Sequence, residues 1–409
     1  MFKKYSIKYF IVLFFLLFKI FNSWGNILGI FESTNFPSEI AWESITVARM
    51  EIIDNELFAC TTNGIYKYDK DINKWEYWAL EGYKVIDFKL YENKIVAAVS
   101  PEDSEIFMPK ALAKIIRYDL KQNKIEEIMH PEMGYDYKDG IHLNYLMRLA
   151  QNPFNPEMLA VAVYPGIWIS KDFGTSWDFK FDWLFAYNDH QYLGWHPLQE
   201  NIMFYTSESD NFNACILRTD DYGKNWETLY PDSTGDNSVH DLAFDPEDAS
   251  HILYSGEGCI FESNDYGATW EWVYRDKSYE DGIGYAYNIM FDKTDPNILY
   301  SVGQRQYEIL IFQSTDRGKT WNKLAKSESF NYPKEYWTHE SVLMDSKLFI
   351  YTNKGIYFYD ISKTTDVNLV EDLDGNEEIP IFNLHGQKVK HIVPGYIYIK
   401  NGKKFVISY

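Results

Sequence analysis

Five acids, four histidines and a set of aromatic rings are the residues of this 409-residue chain whose types could do chemistry. Glu208, Glu257, Asp189, Asp241 and Glu340 stand in or beside segments that mix acids with rings, such as "HPEMGYDYKDG" (130–140), "DWLFAYND" (182–189), "SESDN" (207–211), "RDKSYEDGIGY" (275–285) and "NYPKEYW" (331–337). Flat rings cover the apolar faces of sugars and carboxylates accept their hydroxyl hydrogens, so the mixture suits carbohydrate recognition. Two carboxylates about 5 to 10 Å apart across a groove could also hydrolyse a glycosidic bond. His142, His190, His240 and His339 recur in "DGIHLNY", "YNDHQYLGW", "NSVHDLAF" and "YWTHESVL", with Tyr287 at the comparable place in "GYAYNIMF" and Trp183 and Trp337 close by. Imidazoles converging on an axis can bind a metal or work as acid and base. The plainer alternative is that they fill a channel mouth and bond to water or backbone, because no fixed ligand spacing selects a metal. No cofactor is implied.

What could position these residues is a repeat. "SKDFGTSW", "TDDYGKNW", "SNDYGATW" and "STDRGKTW" begin at residues 170, 219, 263 and 314, and their central aspartates Asp172, Asp221, Asp265 and Asp316 lie 49, 44 and 51 residues apart. That spacing matches a four-stranded propeller blade, whose period is roughly 40 to 50 residues. Upstream of each octet the sequence reads as strand, Pro or Asp turn, strand, short loop and strand, and an aromatic-rich fourth strand follows. Three looser units, "NGIYKYDKDINKWEYW", "KIIRYDLKQNKIEEI" and "KGIYFYDISKTTDV", share the layout without the octet. The expectation is an all-β, single seven-bladed β-propeller with blades near 45–80, 84–130, 141–182, 188–231, 238–275, 285–326 and 338–371. A six-bladed ring with one irregular insertion is the structural alternative. Radial packing covers each sheet face with the next blade, and the 18% aromatic content suits such broad faces.

Within each octet the Asp and Ser or Thr side chains can bond the backbone of a tight turn, while Gly takes the positive φ. Asp172, Gly174, Trp177; Asp221, Gly223, Trp226; Asp265, Gly267, Trp270; and Asp316, Gly318, Trp321 are accordingly read as structural. These four octets resemble the Asp-box (BNR) repeats of sialidases, propeller xyloglucanases and sortilin-type receptor domains. The resemblance implies that the octets lie between third and fourth strands, on the face opposite the functional one. It also implies, for a sialidase, an Arg-Ile-Pro phrase and an arginine triad. This chain has no Arg-Ile-Pro and only seven arginines. Function is therefore expected on the other face: binding of a glycan or an extracellular or periplasmic protein, with a glycoside hydrolase, xyloglucanase-like or sialidase-like, using paired carboxylates, and a non-catalytic protein scaffold as the alternatives.

The chain begins "MFKKYSIKYFIVLFFLLFKIFNSWG", a basic start, an apolar run and small polar residues, which reads as a signal peptide over residues 1–25. Lys19 interrupts the run, so no stable membrane span is expected after its removal. Loss of Lys3, Lys4, Lys8 and Lys19 with no acid would take the formal charge from −21 to −25. Such a field repels phosphate backbones and excludes nucleic acid as a partner. Cys60, Cys215 and Cys259 are too few and scattered for a disulfide framework and read as buried apolar residues. The propeller is expected over 26–371. Residues 372–409 read as a small β appendage, with strands at Ile379–Leu384, Tyr396–Ile399 and Phe405–Ser408 and a turn at Asn401/Gly402. "IFNLHGQKV" and "PGYIYIKNGKK" within it resemble the type IX sorting tail of exported Bacteroidota proteins.

Overall fold

The computed structural model describes residues 30–41, 49–100, 114–129, 148–163, 166–182, 192–208, 214–231, 239–275, 285–305, 308–327 and 338–363, with 381–383, 388–389, 397–400 and 403–406 near the C-terminus. Two compact units divide the chain, Met1–Tyr359 and Asp360–Tyr409. In the first, seven four-stranded antiparallel sheets follow one another. Each packs on the next and the seventh packs on the first, so the unit is a closed seven-bladed β-propeller and the six-bladed alternative falls away. The first strands of the blades are Met50–Ile53, Lys84–Tyr91, Arg148–Gln151, Leu193–Trp195, Val239–Phe244, Tyr285–Phe291 and Thr338–Met344.

Second strands such as Glu56–Thr61, Lys94–Ser100 and Ile252–Gly256 are buried almost throughout, because neighbouring blades cover both of their faces. Fourth strands such as Glu271–Arg275 run along the rim and stay half exposed. Tyr205, Tyr254, Tyr300 and Tyr351 all stand in second strands and are at most 2% exposed. Burying each such ring contributes roughly 1.5–3 kcal/mol. Cys60, Cys215 and Cys259 are buried free thiols in these layers.

The octets form one turn four times, each joining the third strand of a blade to its fourth. In the first, Ser170 Oγ donates to Asp172 Oδ1 at 2.8 Å, the amides of Gly174 and Ser176 donate to Ser170 Oγ and Asp172 Oδ1, Ser176 Oγ donates to Asp172 Oδ2, and Trp177 Nε1 donates to the Gly174 carbonyl. The other three repeat this pattern with Thr219, Ser263 and Ser314 in the first place. Gly174 has φ +81°, and a Cβ there would stand 2.5 Å from Ile128 Cδ1 of the preceding blade. Gly267 meets Phe204 in the same way. The glycine thus serves both the turn and the close approach of one blade to the next.

Ring closure departs from the expected blade limits. The last blade contributes only Thr338–Met344, Lys347–Thr352 and Gly355–Asp360, and its fourth strand is Glu32–Ser33 from the chain's beginning, paired as Glu32 with Phe358 and Ser33 with Tyr357. Thr34 Oγ1 donates to the Ile356 carbonyl at 2.6 Å and accepts from Trp75 Nε1 at 2.8 Å, tying blade seven to blade one. In the C-terminal unit three strands stand at Ile381–Asn383, Ile397–Lys400 and Lys403–Val406, the last beginning and ending two residues before the expected Phe405–Ser408, and Lys388–Val389 adds a fourth strand to the sheet; Asn401 and Gly402 lie outside the described residues.

Candidate functional site at the channel

Four first strands share an irregularity. Pairing with the second strand skips Ile86, His240, Tyr287 and His339, a β-bulge that re-aims the residue after it. Those next residues are Asp87, Asp241, Asn288 and Glu340, and all four line a cavity of about 200 Å³ that every one of the seven first strands or their leading residues helps to enclose. Most of its lining stands near the beginnings of these strands, so antiparallel order puts the octet turns at the opposite end of the blades.

The bulge residues clasp neighbouring blades. Asp87 Oδ2 accepts the Leu149 amide at 2.9 Å from the next blade, Asp241 Oδ2 accepts the Ile289 amide at 3.2 Å, and Glu340 Oε1 accepts the Met50 amide at 3.5 Å across the seam. Asn288 donates to Asp241 Oδ2 at 3.3 Å and accepts from Ser341 Oγ at 3.0 Å. Asp87 and Asp241 also cap their own strands through the Phe88 and Leu242 amides.

Cations balance much of this charge. Lys89 lies between Glu51 and Asp87, 3.4 Å from the latter, and Arg49 Nη1 approaches Glu340 Oε2 at 3.8 Å. Arg148 lines the cavity and makes no ion pair with any carboxylate among the described residues, while its Nε is buried without a hydrogen-bond partner among them. An unsatisfied buried donor costs about 1–3 kcal/mol.

Burial sets the protonation states. It raises Glu340 to about 7, with the charge of Asp241 adding to the push and Arg49 and Arg148 opposing it. Asp241 rises to about 6 through burial, against the pull of the Ile289 amide and Asn288. Burial lowers His240 to about 4 although its Nδ1 bonds the Ala286 carbonyl at 2.8 Å, so this imidazole is neutral at pH 7. Arg49 falls to about 10 through burial and the nearby Arg148. Lys89 is raised, because Asp87 and Glu51 outweigh its burial.

Of the residues singled out in the sequence, Asp241, Glu340 and His240 come together on this cavity. Glu257 is exposed in the short turn between Ile252–Gly256 and Cys259–Ser263, at the same end of the blade as Val239 but outside the cavity lining. Glu208 ends the strand Met203–Glu208. Tyr287 and His339 occupy bulge positions, which makes them the residues the ladder skips. Asp189, His142, His190, Trp183 and Trp337 lie outside the described residues, as does most of the five acidic and aromatic segments. Arg49, Glu51, Asp87, Lys89, Arg148 and Asn288 were not foreseen. For Asp87 and Asn288 the signal was the dipeptide pattern "ID", "HD", "YN", "HE" at the start of four blades, in which the second residue is always polar; Arg49, Glu51, Lys89 and Arg148 carry no such mark. Among the described residues no three His, Cys, Asp or Glu side chains are grouped to hold a metal.

No protein-family model and no curated protein matches the chain. Solved structures do. The GH74 enzyme of Niastella koreensis has a TM-score of 0.61 at 14% identity, over 93% of this chain and 60% of that one. The GH74 xyloglucanase of Xanthomonas campestris gives 0.57 at 14% identity, over 81% and 53%. In fold the ring is similar to the β-propellers of these GH74 enzymes. This propeller spans between half and two thirds of the length of those enzymes, and at such identity the likeness is one of architecture alone. It also resembles the extracellular domain of a B. thetaiotaomicron protein described as a one-component system, at a TM-score of 0.52 and 11% identity over 81% of this chain and 40% of that one. No helix among the described residues is long and apolar enough to cross a membrane.

Proposed function

We propose that this chain is an exported carbohydrate-binding propeller that takes a glycan on the face where the first strands begin, and that it does not cleave it. The observation that carries the reading is the engagement of the channel carboxylates. Asp241 holds the Leu242 and Ile289 amides and the Asn288 side chain, and Glu340 spans the seam to Met50 and Arg49. A glycosidase needs two carboxyl groups free to reach either side of the scissile bond. A polar cavity with several uncharged donors and acceptors supports binding instead, and the fold is one that glycan-active enzymes and an extracellular domain also use.

A hydrolytic reading rests on one observation: Glu340 is raised to about 7, the value of a general acid near neutrality. The purified chain and Glu340→Gln, screened on a glycan array and for hydrolysis of xyloglucan, sialosides and host-type glycans, separate the two. Capture on the array without reducing-end release supports binding. Release that disappears in Glu340→Gln with folding intact makes the protein a hydrolase.

The four octets are read as Asp-box repeats, residues 1–25 as a signal peptide and the segment 372–409 as a type IX sorting tail. N-terminal and C-terminal sequencing of the protein recovered from outside the cell tests the last two: a start near residue 26 and loss of the tail are expected, and an intact chain retained in the cell contradicts them.

A further inference from the structure

The channel cavity carries charge information that a general glycan-binding reading leaves unused. Its carboxylates are already matched: Glu51 and Asp87 flank Lys89, Asp241 is held by amides, and Glu340 faces Arg49. Among its cations, Arg148 alone makes no ion pair with the described residues. A guanidinium presents a planar fork that matches a carboxylate. The Arg148 charge acts on Asp241 and Glu340 through space with no direct ion pair to either, so its fork is the one left to receive the carboxylate of a ligand. The space is about 200 Å³, below the roughly 300–1,000 Å³ of drug-sized sites, so it admits one small molecule or one terminal sugar ring. Tyr192, Asn288 and Ser341 in the walls supply uncharged hydrogen-bonding groups, as a polyhydroxylated ring requires.

We infer that the cavity binds a hexuronic acid, free or at the end of a glycan, with its carboxylate on the Arg148 guanidinium and its hydroxyls against Asn288, Ser341 and Tyr192. This rests on the carbohydrate-binding reading and narrows it to acidic sugars. Arg148 begins the first strand of blade three, and the Leu149 amide beside it is fixed by Asp87 of blade two. The cation is thus carried on a strand that the clasps already hold in place, so the pocket needs little reorganisation to receive its ligand.

The test is calorimetric titration of the purified chain with glucuronate and galacturonate, with their methyl esters, and with glucose and galactose, at low and moderate salt. The uronates are expected to bind at least about tenfold more tightly than the esters and neutral sugars, an advantage that shrinks as salt rises. Arg148→Ala removes this advantage. Should that variant unfold, Arg148→Lys keeps the charge and loses the fork, and it should weaken uronate binding severalfold with an unchanged unfolding midpoint. Equal affinity for acids, esters and neutral sugars overturns the inference while leaving carbohydrate binding intact. Binding of none of them, together with a blank glycan array, overturns both.

Discussion

Glu340 of the seventh blade and Arg49 of the first face each other at 3.8 Å across the seam that closes the ring, both almost wholly buried. Glu340 also accepts the Met50 amide, so a single side chain links the last blade to the first at the channel while Glu32–Ser33 links them at the rim. Removing one partner of a buried pair leaves the other uncompensated, which costs about 3–5 kcal/mol. Arg49→Ala is expected to lose that much in urea unfolding, and Arg49→Met with Glu340→Gln together much less.

Glu340 also gives a pH signature. Its folded value is raised to about 7 from 4.5, so its contribution is fully present below about 4.5 and is lost as pH rises towards 7. Relative to Glu340→Gln, the natural chain should lose on the order of 3 kcal/mol between pH 4.5 and 7. Equal pH profiles for the two would show that the carboxyl titrates normally.

His240 acts in the opposite sense. Its folded value is lowered to about 4 from 6.5, so a buried neutral imidazole stabilises above about 6.5 and that contribution is lost as pH falls towards 4. His240→Gln should therefore narrow its gap to the natural chain on acidification. Titration of the His240 ring carbons by NMR reads the same value directly.

At the octets, Gly174→Ala would force a Cβ into left-handed backbone and onto Ile128. A loss of roughly 1–3 kcal/mol is expected, with ligand binding unchanged, since these turns lie at the far end of the blades from the cavity. A stable Gly174→Ala that lost binding would contradict this division of roles.

Beginning the chain after Thr34 would strip the outer strand from blade seven and expose Gly355–Asp360 as an unpaired edge. The truncated chain is expected to melt earlier and to associate in light scattering, and Trp75→Phe, which loses the bond to Thr34 and part of a buried ring packed on Phe36 and Tyr68 while keeping the outer strand, to lose stability without associating.

The blades were legible because their information is local. Each octet folds on its own hydrogen bonds, and the second strands announce themselves by unbroken apolar runs. The Glu32–Ser33 strand was not, because two residues with no alternation carry no strand signal and their pairing partner lies more than 320 positions away. At the site the reading reached Asp241, Glu340 and His240 and missed the bulge that orders them. One inserted residue shifts the side-chain parity of the strand and brings Asn288 and Glu340 to the cavity beside His240, which the ladder itself skips. Arg148 and Lys89 were passed over because a cation's partner, or its lack of one, is set by blades far apart in sequence.

The most direct measurement of the central claim is a crystal structure of the purified chain grown with the glycan that binds it best on the array. A sugar ring seated in the channel cavity, in contact with Arg148 and uncleaved, is the predicted result. Sugar bound only along the blade rims, or a cleaved product between Asp241 and Glu340, would contradict it.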